Sequence, residues 1–401
     1  MLQEGRQLYT EKGNTSMNKV TTVLRTLESE ISRYELQNDV NFFKGDKRSR
    51  ELKTGQLFSG LIFAQLMNCF SLREIQHSLE ANSHRLYHNG LSVIKRSTLA
   101  DGMKKRDYRI FVRVYERLLE KANILGGGKK RRFENPLRII DSTSIEVNVN
   151  RFPWATFRQT KGGIKLHMSY DPDTALPDQV FDTDGKVHDS NCFSVLAHQA
   201  GIIYVADRAY CDFISLYRIE INGGYFVTRA KKNARFEIID GLFESPEGSV
   251  RKDSHVVLTG PQTKKQYPKP LRVVEYYDEE KERTFSFLTN DFTHTAQEIA
   301  DIYKERWQIE LFFKWLKQNL KIKTFWGTSK NAVLMQIWIA LIVYLLMWIM
   351  KVKNMIDFSL QRIRQILKTT LLEKRSLELL FKPPPPFQKK VPQPYLFEGV
   401  L

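Results

Sequence analysis

The sequence predicts an α/β protein built on a mixed sheet with helices on both faces, interrupted by an all-β insertion and preceded by an all-α N-terminal domain. Three observations indicate this fold class. Residues from about 20 to 120 follow a helical pattern throughout. After residue 135, apolar strands are joined first by hairpins and then through helices, as in a mixed sheet. From 233 to 288, short alternating strands are separated by turns, with no convincing helix.

The composition indicates a large, strongly basic protein. The chain has 401 residues, enough for two or three domains, and its formal net charge is +17 at pH 7. Such an excess of positive charge favours a polyanionic partner, most commonly nucleic acid. The three cysteines are scattered and odd in number, which argues against a disulfide framework or a zinc site. They favour a reducing compartment, and no signal segment opens the chain, so we expect a cytoplasmic protein.

The N-terminal helices, predicted over 17–125 after a flexible extension over 1–16, contain a candidate DNA reader. Ser71 and Glu74 form a capping box at the start of one short helix, and Ser97 caps a second. Two helices around a Gly-containing connection, the second rich in cations, resemble a helix-turn-helix. A helical bundle that does not bind DNA would show the same pattern. The candidate DNA-binding residues in this region are Arg96, Lys104, Lys105 and Arg106.

A Gly/basic linker over 126–135 leads into the first part of the core, predicted over 136–232. Two apolar strands in this part each end at an aspartate, in IIDST at Asp141 and in VADRAY at Asp207. The carboxyl ends of adjacent parallel strands meet at one edge of a sheet, where α/β proteins bind ligands. Either aspartate alone is more simply a turn or cap residue.

The second part of the core, predicted over 289–380, contains an unusual helix at residues 303–320, YKERWQIELFFKWLKQNL. Apolar and aromatic side chains crowd it, yet polar ones recur at spacings of three, four and seven residues. On one straight helix these polar side chains fall within roughly 60° of one another. The four residues of this stripe are Tyr303, Arg306, Glu310 and Lys317.

Glu310 is a candidate third carboxylate for the edge of the sheet at which the two strands end in Asp141 and Asp207. If it faces them, the cluster needs cations to neutralise it, and Mg²⁺ prefers such oxygen ligands. Two ions about 4 Å apart would support phosphodiester transfer. The simpler alternative is that Glu310 forms ordinary helical ion pairs with Arg306 and Lys314.

The most apolar segment is 332–350, with Gln336 as its one polar interruption. It is close to the length needed to span a membrane, and a membrane-anchored protein is therefore an alternative. Helices that are apolar all round also occur in the cores of large proteins, and we favour a buried core helix. Residues 381–401 are proline-rich and are predicted to form an extended tail.

These motifs resemble the signature of the insertion-sequence DDE transposases of the IS-four family. Y-x2-R-x3-E-x6-K is satisfied by the four residues of the polar stripe, and IIDSTS and VADRAY are similar to the first and second aspartate blocks. YFVTRAK and FSFLTND also match the pattern of that family. The stretch from about 20 to 110 is similar to a domain that precedes the core in one branch. The resemblance covers most of the chain.

The resemblance implies an RNase H-like core split by the β-rich insertion over 233–288. It implies a transposase that binds the terminal inverted repeats of an insertion sequence, cleaves at its ends and joins the freed 3′-hydroxyl to target DNA. Its partners would be double-stranded DNA and a second copy of the chain in a synaptic homodimer, at the bacterial nucleoid and without a membrane. The implied catalytic and metal-binding residues are Asp141, Asp207 and Glu310, with two Mg²⁺ ions, or Mn²⁺. The implied DNA contacts are Tyr303, Arg306 and Lys317, with Arg229 and Lys231 as further phosphate contacts.

Several points stay open. Relatives that form hairpins stack a flipped base on an aromatic side chain, often Trp, in the β insertion, whereas the six Trp here lie outside it. A Tyr or Phe would stack the base, or the hairpin step differs.

We predict that Trp307 and Trp315 pack in the core and that His188 and Asp189 cap a short helix. The alternatives in function are a transposase-derived DNA-binding protein and a metal-dependent nuclease without strand transfer.

Overall fold

The computed structural model describes residues 21–128, 130–158, 161–184, 196, 198–231, 233–245 and 247–382. Several predictions fall outside them: the extension over 1–16, Lys129 of the linker, most of the helix expected over 188–200 with His188 and Asp189, and the tail from residue 383 onward.

Helices dominate both ends of the chain, and strands occupy its middle. The helices are α1 (Val23–Glu28), α2 (Arg33–Phe42), α3 (Thr54–Met67), α4 (Leu72–Ala81), α5 (Ser83–Leu86), α6 (Arg96–Lys105), α7 (Arg109–Gly126), α8 (Phe213–Ile221), α9 (Thr263–Gln266), α10 (Ala296–Lys304), α11 (Trp307–Asn319), α12 (Lys330–Lys353), α13 (Leu360–Thr370) and α14 (Leu377–Phe381). The strands are β1 (Leu137–Val147), β2 (Thr156–Arg158), β3 (Lys161–Asp171), β4 (Leu176–Asp184), β5 (Ile203–Ala206), β6 (Tyr225–Arg229), β7 (Phe236–Glu244), β8 (Val250–Leu258), β9 (Leu271–Asp278) and β10 (Arg283–Thr289).

The strands form one mixed sheet in the order β2-β3-β1-β5-β6-β10-β9-β8-β7, with β4 also paired to β3. β1, β5 and β6 run parallel, and the β3–β4 hairpin is antiparallel to β1. The prediction that the first strand ends at Asp141 is wrong, because β3 pairs with β1 as far as Val147. The parallel pairing with β5, by contrast, ends one residue before Asp141, at Ile140.

The segment predicted as a separate β insertion extends the core sheet instead. β10 pairs antiparallel with β6, and β9, β8 and β7 follow outward in order. Phe287 and Leu288 of β10 are both buried, in different clusters on the two faces of the sheet. This double burial explains why β10 joins the central strands rather than a sheet of its own.

Helices cover both faces of the sheet, as predicted. Neighbouring residues of the central strands point to opposite faces, so that each strand contributes to two apolar clusters. One cluster contains α8, and the other contains α7 and α10 to α13. The strand residues that illustrate the alternation are Ile139 and Ile140, Tyr204 and Val205, Phe226 and Val227, and Val273 and Val274.

The apolar segment predicted as a core helix is α12, and every residue from Ala332 to Met350 is buried. It is long and apolar enough to cross a membrane by length and composition, yet it is enclosed by the fold. α3 and α7 pack against it from the N-terminal region, and all three helices belong to one apolar cluster with the sheet. The N-terminal helices therefore complete their core with a helix from the far end of the chain.

Residues 303–320 do not form the single helix that the sequence predicts. α10 ends at Lys304 and α11 begins at Trp307. Between them, the Glu305 N–H donates to the Ile302 carbonyl at 3.2 Å and the Arg306 N–H to the Tyr303 carbonyl at 3.1 Å. These are the tighter i→i+3 bonds of a 3₁₀ turn. The polar stripe is consequently divided, with Tyr303 on one helix and the other members at or beyond the turn.

An ion pair between a buried carboxylate and an exposed arginine lies where the helix is interrupted. Glu305 is 7% exposed, and its carboxylate accepts a hydrogen bond from Arg132. Arg132 belongs to the predicted linker, so its contact with Glu305 attaches this linker to the second part of the core. At the other end of the linker, Gly126 is still helical and fits closely against Thr174 and Trp348.

Candidate active site

The two aspartates after the apolar strands lie side by side. The parallel register pairs Ile140 with Ala206, so Asp141 and Asp207 are the next positions on adjacent strands. β5 is buried at all four residues and ends at Ala206, and Asp207 then caps a 3₁₀ turn by accepting the Arg208 N–H at 2.7 Å. The Asp141 side chain is 20% exposed and that of Asp207 is 35% exposed. Both carboxylates are therefore accessible from solvent.

Glu310 approaches Asp141 across a single guanidinium group. Arg306 Nη2 is 2.5 Å from Glu310 Oε1, and Arg306 Nη1 is 3.7 Å from Asp141 Oδ2. Burial acts to lower the pKa of Arg306, but the neighbouring Tyr303 and the two carboxylates raise it overall. The arginine is thus a permanent cation between two members of the predicted carboxylate cluster.

Tyr303 and Arg229 contact the other aspartate. The Tyr303 hydroxyl donates to Asp207 Oδ1 at 3.5 Å, and Arg229 Nη1 is 3.8 Å from the same oxygen. Burial raises the pKa of Tyr303 to about 12, a rise that Asp207 supports and the nearby arginines oppose. The phenol therefore keeps its proton at neutral pH and acts as a hydrogen-bond donor.

Lysines line the open side of the site. A cleft of about 390 Å³ contains Asp141 and Glu310 together with Lys314, Lys317 and Lys323. Burial lowers the pKa of Lys317, and the charge of Lys323 lowers it further. Two carboxylates and three cations in one open cleft suit a phosphodiester that must be held by its oxygens.

An aromatic pocket of about 640 Å³ adjoins the same site. Its charged side chains are the cations Lys281, Lys304 and Arg306 and the carboxylates Asp278, Glu279 and Glu280, and its aromatic side chains are Tyr276, Phe285, Phe287, Tyr303 and Trp307. The prediction that Trp307 packs in the core is wrong, because its side chain is 58% exposed. Trp307 lies two residues before the buried Ile309, and it therefore projects about 200° away from the buried face of α11. Trp315 does pack inward, with its ring 5.4 Å from that of Tyr344.

Arg106 was predicted to bind DNA, and the structure contradicts that prediction. The residue is 7% exposed, and its guanidinium donates to Thr54 Oγ1 at 3.1 Å and to Ser49 Oγ at 2.9 Å. It also donates to the Leu52 carbonyl. Arg106 therefore fixes the end of α6 to the start of α3 and the segment before it, and these contacts occupy its Nε and Nη2.

The candidate DNA contacts on α6 other than Arg106, together with Lys231, are exposed but do not line the cleft. α4 and α6 pack together, and the Arg96 N–H donates to Gln76 at 2.8 Å. Ser71 caps α4 as predicted, whereas α6 begins at Arg96, one residue before the predicted cap Ser97. Lys105 pairs with Asp101 at 2.8 Å. The exposed candidates are Arg96, Lys104 and Lys105 on α6 and Lys231 after β6.

The site has the donor chemistry for divalent metal but not a finished metal centre. Within the described part of the chain, no three His, Cys, Asp or Glu side chains converge closely enough to hold an ion. Asp141, Asp207 and Glu310 fit Mg²⁺ in donor type, because it takes carboxylate oxygens. Arg306 stands between Asp141 and Glu310, so Glu310 would have to exchange this ion pair for a metal.

Similarity to known proteins assigns the chain to a family. The model of the transposase DDE domain matches residues 132–346, and a domain of unknown function (DUF4372) matches residues 19–92. The chain therefore belongs to the DDE transposases and is a DNA-cleaving enzyme of that class. The predicted resemblance to insertion-sequence DDE transposases is confirmed.

Two curated relatives are similar over most of their length. The chain is 32% identical over 333 residues to a transposase of insertion sequence element IS5377 from Geobacillus stearothermophilus, covering 82% of this chain and 85% of the relative. It is 33% identical over 291 residues to the transposase y4zB of Sinorhizobium fredii, covering 72% and 80%. A cryo-EM structure of the piggyBac transposase synaptic complex with hairpin DNA is similar with a TM-score of 0.48 and 10% identity, over 86% of this chain and 77% of that chain.

Proposed function

We propose that this protein moves an insertion sequence by cut and paste: it binds the terminal inverted repeats, cleaves at the element ends and joins the freed 3′-hydroxyl to target DNA. The observation that carries the proposal is the adjacency of Asp141 and Asp207, with Glu310 on the facing helix, beside a lysine-lined cleft. Acidic groups that stay reachable beside phosphate-binding cations suit a phosphodiester substrate better than a purely structural role.

Asp141, Asp207 and Glu310 are the residues proposed to hold the metal, as two Mg²⁺ ions or Mn²⁺. When bound, such ions activate a water or hydroxyl group and stabilise the leaving oxygen. Arg306, released from Glu310, is then free to donate to a phosphate of the element end. Tyr303 donates a hydrogen bond from its neutral hydroxyl, and Lys317 contacts the backbone near the scissile bond.

The aromatic pocket supports a place for an unstacked base at the element end. Phe285 belongs to the segment predicted as the β insertion, and Trp307 is exposed at the start of α11. Base–aromatic stacking tolerates any base, and it is worth about 1–3 kcal/mol per base. Of the two hypotheses on the hairpin step, this pocket favours stacking on a phenylalanine assisted by Trp307. The protein is further proposed to act as a homodimer on paired ends in the bacterial cytoplasm.

A direct test compares the protein with its Glu310→Gln variant on duplexes that carry the element's terminal repeats, in the presence of Mg²⁺. We expect the unaltered protein to nick the ends and transfer strands, and the variant to bind the ends without cleaving them. Glu120→Gln, a substitution of an exposed carboxylate on α7, is the matched control and should cleave normally.

Each alternative function has its own outcome in this test. Cleavage without joining would indicate a nuclease, and binding without cleavage by the unaltered protein would indicate a transposase-derived DNA-binding protein. Cleavage without any divalent metal, or an unaffected Glu310→Gln variant, would contradict the proposed roles of the carboxylates.

A further inference from the structure

Three cations outside the catalytic cleft lie on segments that both pack against α3, through the bond of the Lys321 N–H to Gln65 and through the contact of α13 with α3. Lys321 lies in the segment that follows α11, and Arg364 and Lys368 lie on α13. The charges of Arg364 and Lys368 both act on Lys321 and lower its pKa, after burial as the main cause. Lys321 is 9% exposed, and its ammonium lies 3.1 Å from the centroid of the Phe70 ring. We call these three residues the α13 cation cluster.

The α13 cation cluster lacks the carboxylate partners that buried cations usually have. Among the described residues, no carboxylate lies within 4.0 Å of any of its three charged groups. Arg364 Nε and Nη1 are buried without a hydrogen-bond partner, and burial lowers the pKa of this arginine. The carboxylate in electrostatic range, Glu74, accepts the Phe70 N–H at 2.6 Å. Crowded cations with unused donors are unfavourable unless an anion joins them.

The backbone beneath Lys321 is fixed in advance. Its N–H donates to Gln65 Oε1 at 2.9 Å, and its carbonyl accepts from Gln65 Nε2 at 3.3 Å and from Gln336 Nε2 at 2.7 Å. Both glutamine side chains are fully buried. The Trp326 indole also donates to the Cys69 carbonyl at 3.0 Å, beside Phe70. A rigid backbone reduces the entropy that a bound ligand would otherwise cost.

We propose that Lys321, Arg364 and Lys368 bind a phosphate of the DNA backbone outside the catalytic cleft. Lys323, two residues after Lys321, lines that cleft, so one short segment presents cations to both places. A duplex whose end lies in the cleft can therefore extend over α13, and the exposed Phe70 offers apolar surface beside the phosphate. This inference rests on the proposal that the protein binds DNA.

The test is the salt dependence of DNA binding by an Arg364→Gln/Lys368→Gln double variant. Each lost phosphate contact should reduce the slope of log K against log salt by about 0.9. We expect that reduction, with a roughly 10-fold weaker affinity at 150 mM KCl, measured by fluorescence anisotropy on a terminal-repeat duplex. Lys264→Gln/Lys265→Gln removes the same charge from exposed positions on α9, near the opposite apolar cluster. This control should leave the slope unchanged.

Three further measurements separate the possible outcomes. Equal slopes of log K against log salt for the two double variants would overturn the proposal. A second contrary result would be that inorganic phosphate stabilises the unaltered protein against heat, and that the Arg364→Gln/Lys368→Gln variant loses this stabilisation while its salt dependence of DNA binding is unchanged. If the double variant does not fold, the same salt dependence is measured on Lys368→Gln alone, which changes an exposed position. Cleavage by the unaltered protein is scored separately, so a failure of catalysis and a failure of this site are distinguishable.

Discussion

Two arginine–carboxylate clusters in this protein differ in burial and in geometry. In the cleft, Arg306 is 2.5 Å from Glu310 but 3.7 Å from Asp141, and the carboxylate side chains are 35% and 20% exposed. Away from the cleft, Arg272 binds Asp253 through two hydrogen bonds of 2.9 and 2.8 Å. Its side chain is 6% exposed and that of Asp253 is 9% exposed. The same guanidinium donates to the backbone carbonyls of Asp291 and His294, in the turn before α10.

The difference separates a structural cluster from one that can exchange partners. Arg272 makes two short, buried contacts with Asp253 and two with backbone carbonyls, so the pair fixes the turn that leads from β10 to α10. Arg306 makes one short and one long contact at an accessible edge. The carboxylates of Glu310 and Asp141 can therefore exchange Arg306 for another cation. We therefore expect the carboxylate beside Arg272 to matter for stability and the carboxylates beside Arg306 to matter for chemistry.

The largest effect is expected from Asp207→Asn. Its contacts with Tyr303 and Arg229 are long, at 3.5 and 3.8 Å, and an asparagine oxygen can still accept the Arg208 N–H that Asp207 caps, so the melting temperature should stay unchanged. Loss of the proposed metal ligand would remove several kcal/mol of transition-state stabilisation, and cleavage should fall by about 10³-fold or more. A gel assay of end cleavage and a thermal melt on the same preparation check both parts. Normal activity would remove Asp207 from the catalytic set.

The buried pair should respond in the opposite way to Asp253→Asn. Arg272 would be left buried without its counter-ion, and breaking such a pair costs about 3–5 kcal/mol in the free energy of unfolding. Urea denaturation measures the loss. Asp101→Asn, which breaks the exposed pair with Lys105, is the control and should leave the midpoint unchanged. An equally small effect of both substitutions would contradict a structural role for the Arg272 pair.

Glu28 differs from the carboxylates beside Arg306 and Arg272, because it is buried without a cationic hydrogen-bond partner. Its Oε1 has no hydrogen-bond partner, and burial raises its pKa from 4.5 to about 7, against smaller opposing effects of Ser59 and Arg25. The folded protein holds this proton more tightly than the unfolded chain. The stabilising contribution is therefore complete below pH 4.5 and is lost as the pH rises through about 7. That loss amounts to about 3 kcal/mol.

Glu28→Gln should remove this pH dependence, because a glutamine has no proton to lose. Urea denaturation at several pH values between 4.5 and 8 measures the slope of unfolding free energy against pH for both proteins. Parallel slopes would show that Glu28 does not titrate in this range.

The smallest effect concerns the exchange at Arg306. In Arg306→Gln, cleavage should fall about 100-fold, because a charged donor to phosphate is lost, but the carboxylates no longer have a competing cation. The DNA-free variant should therefore bind Mn²⁺ about 10-fold more tightly, by calorimetry, than the unaltered protein. Unchanged or weaker Mn²⁺ binding would indicate that Arg306 does not compete with metal.

The sequence allowed the carboxylate positions to be predicted because they follow from local pattern. Asp141 and Asp207 come directly after apolar runs that are buried in a sheet, and the parallel register of β1 and β5 then places the two positions side by side. Glu310 has no such local signal, and it was found through the spacing it shares with Tyr303, Arg306 and Lys317. Lys323 was missed, since it follows α11 and belongs to no periodic pattern.

The errors arise from contacts between distant parts of the chain. The interruption after Lys304 depends on Glu305 meeting Arg132, which lies 173 positions earlier. The sequence predicts Arg106 to be a surface cation, whereas in the structure it donates to Thr54, which lies 52 positions away. Extension of the sheet by β10 likewise depends on pairing with β6, across the whole intervening β segment. Periodicity describes which side of an element is apolar, but it does not identify the element that covers it.

The placement of α12 has a consequence for synthesis on the ribosome. α3 and α7 emerge first, yet the helix that fills the space between them and the sheet is translated more than two hundred residues later. Until then the parts of α3 and α7 that α12 covers lack this partner in the nascent chain, and contacts of such long sequence separation form slowly. This core is therefore completed only after α12 has been synthesised. A nascent chain that stops before Lys330 would expose the very surface that α12 covers.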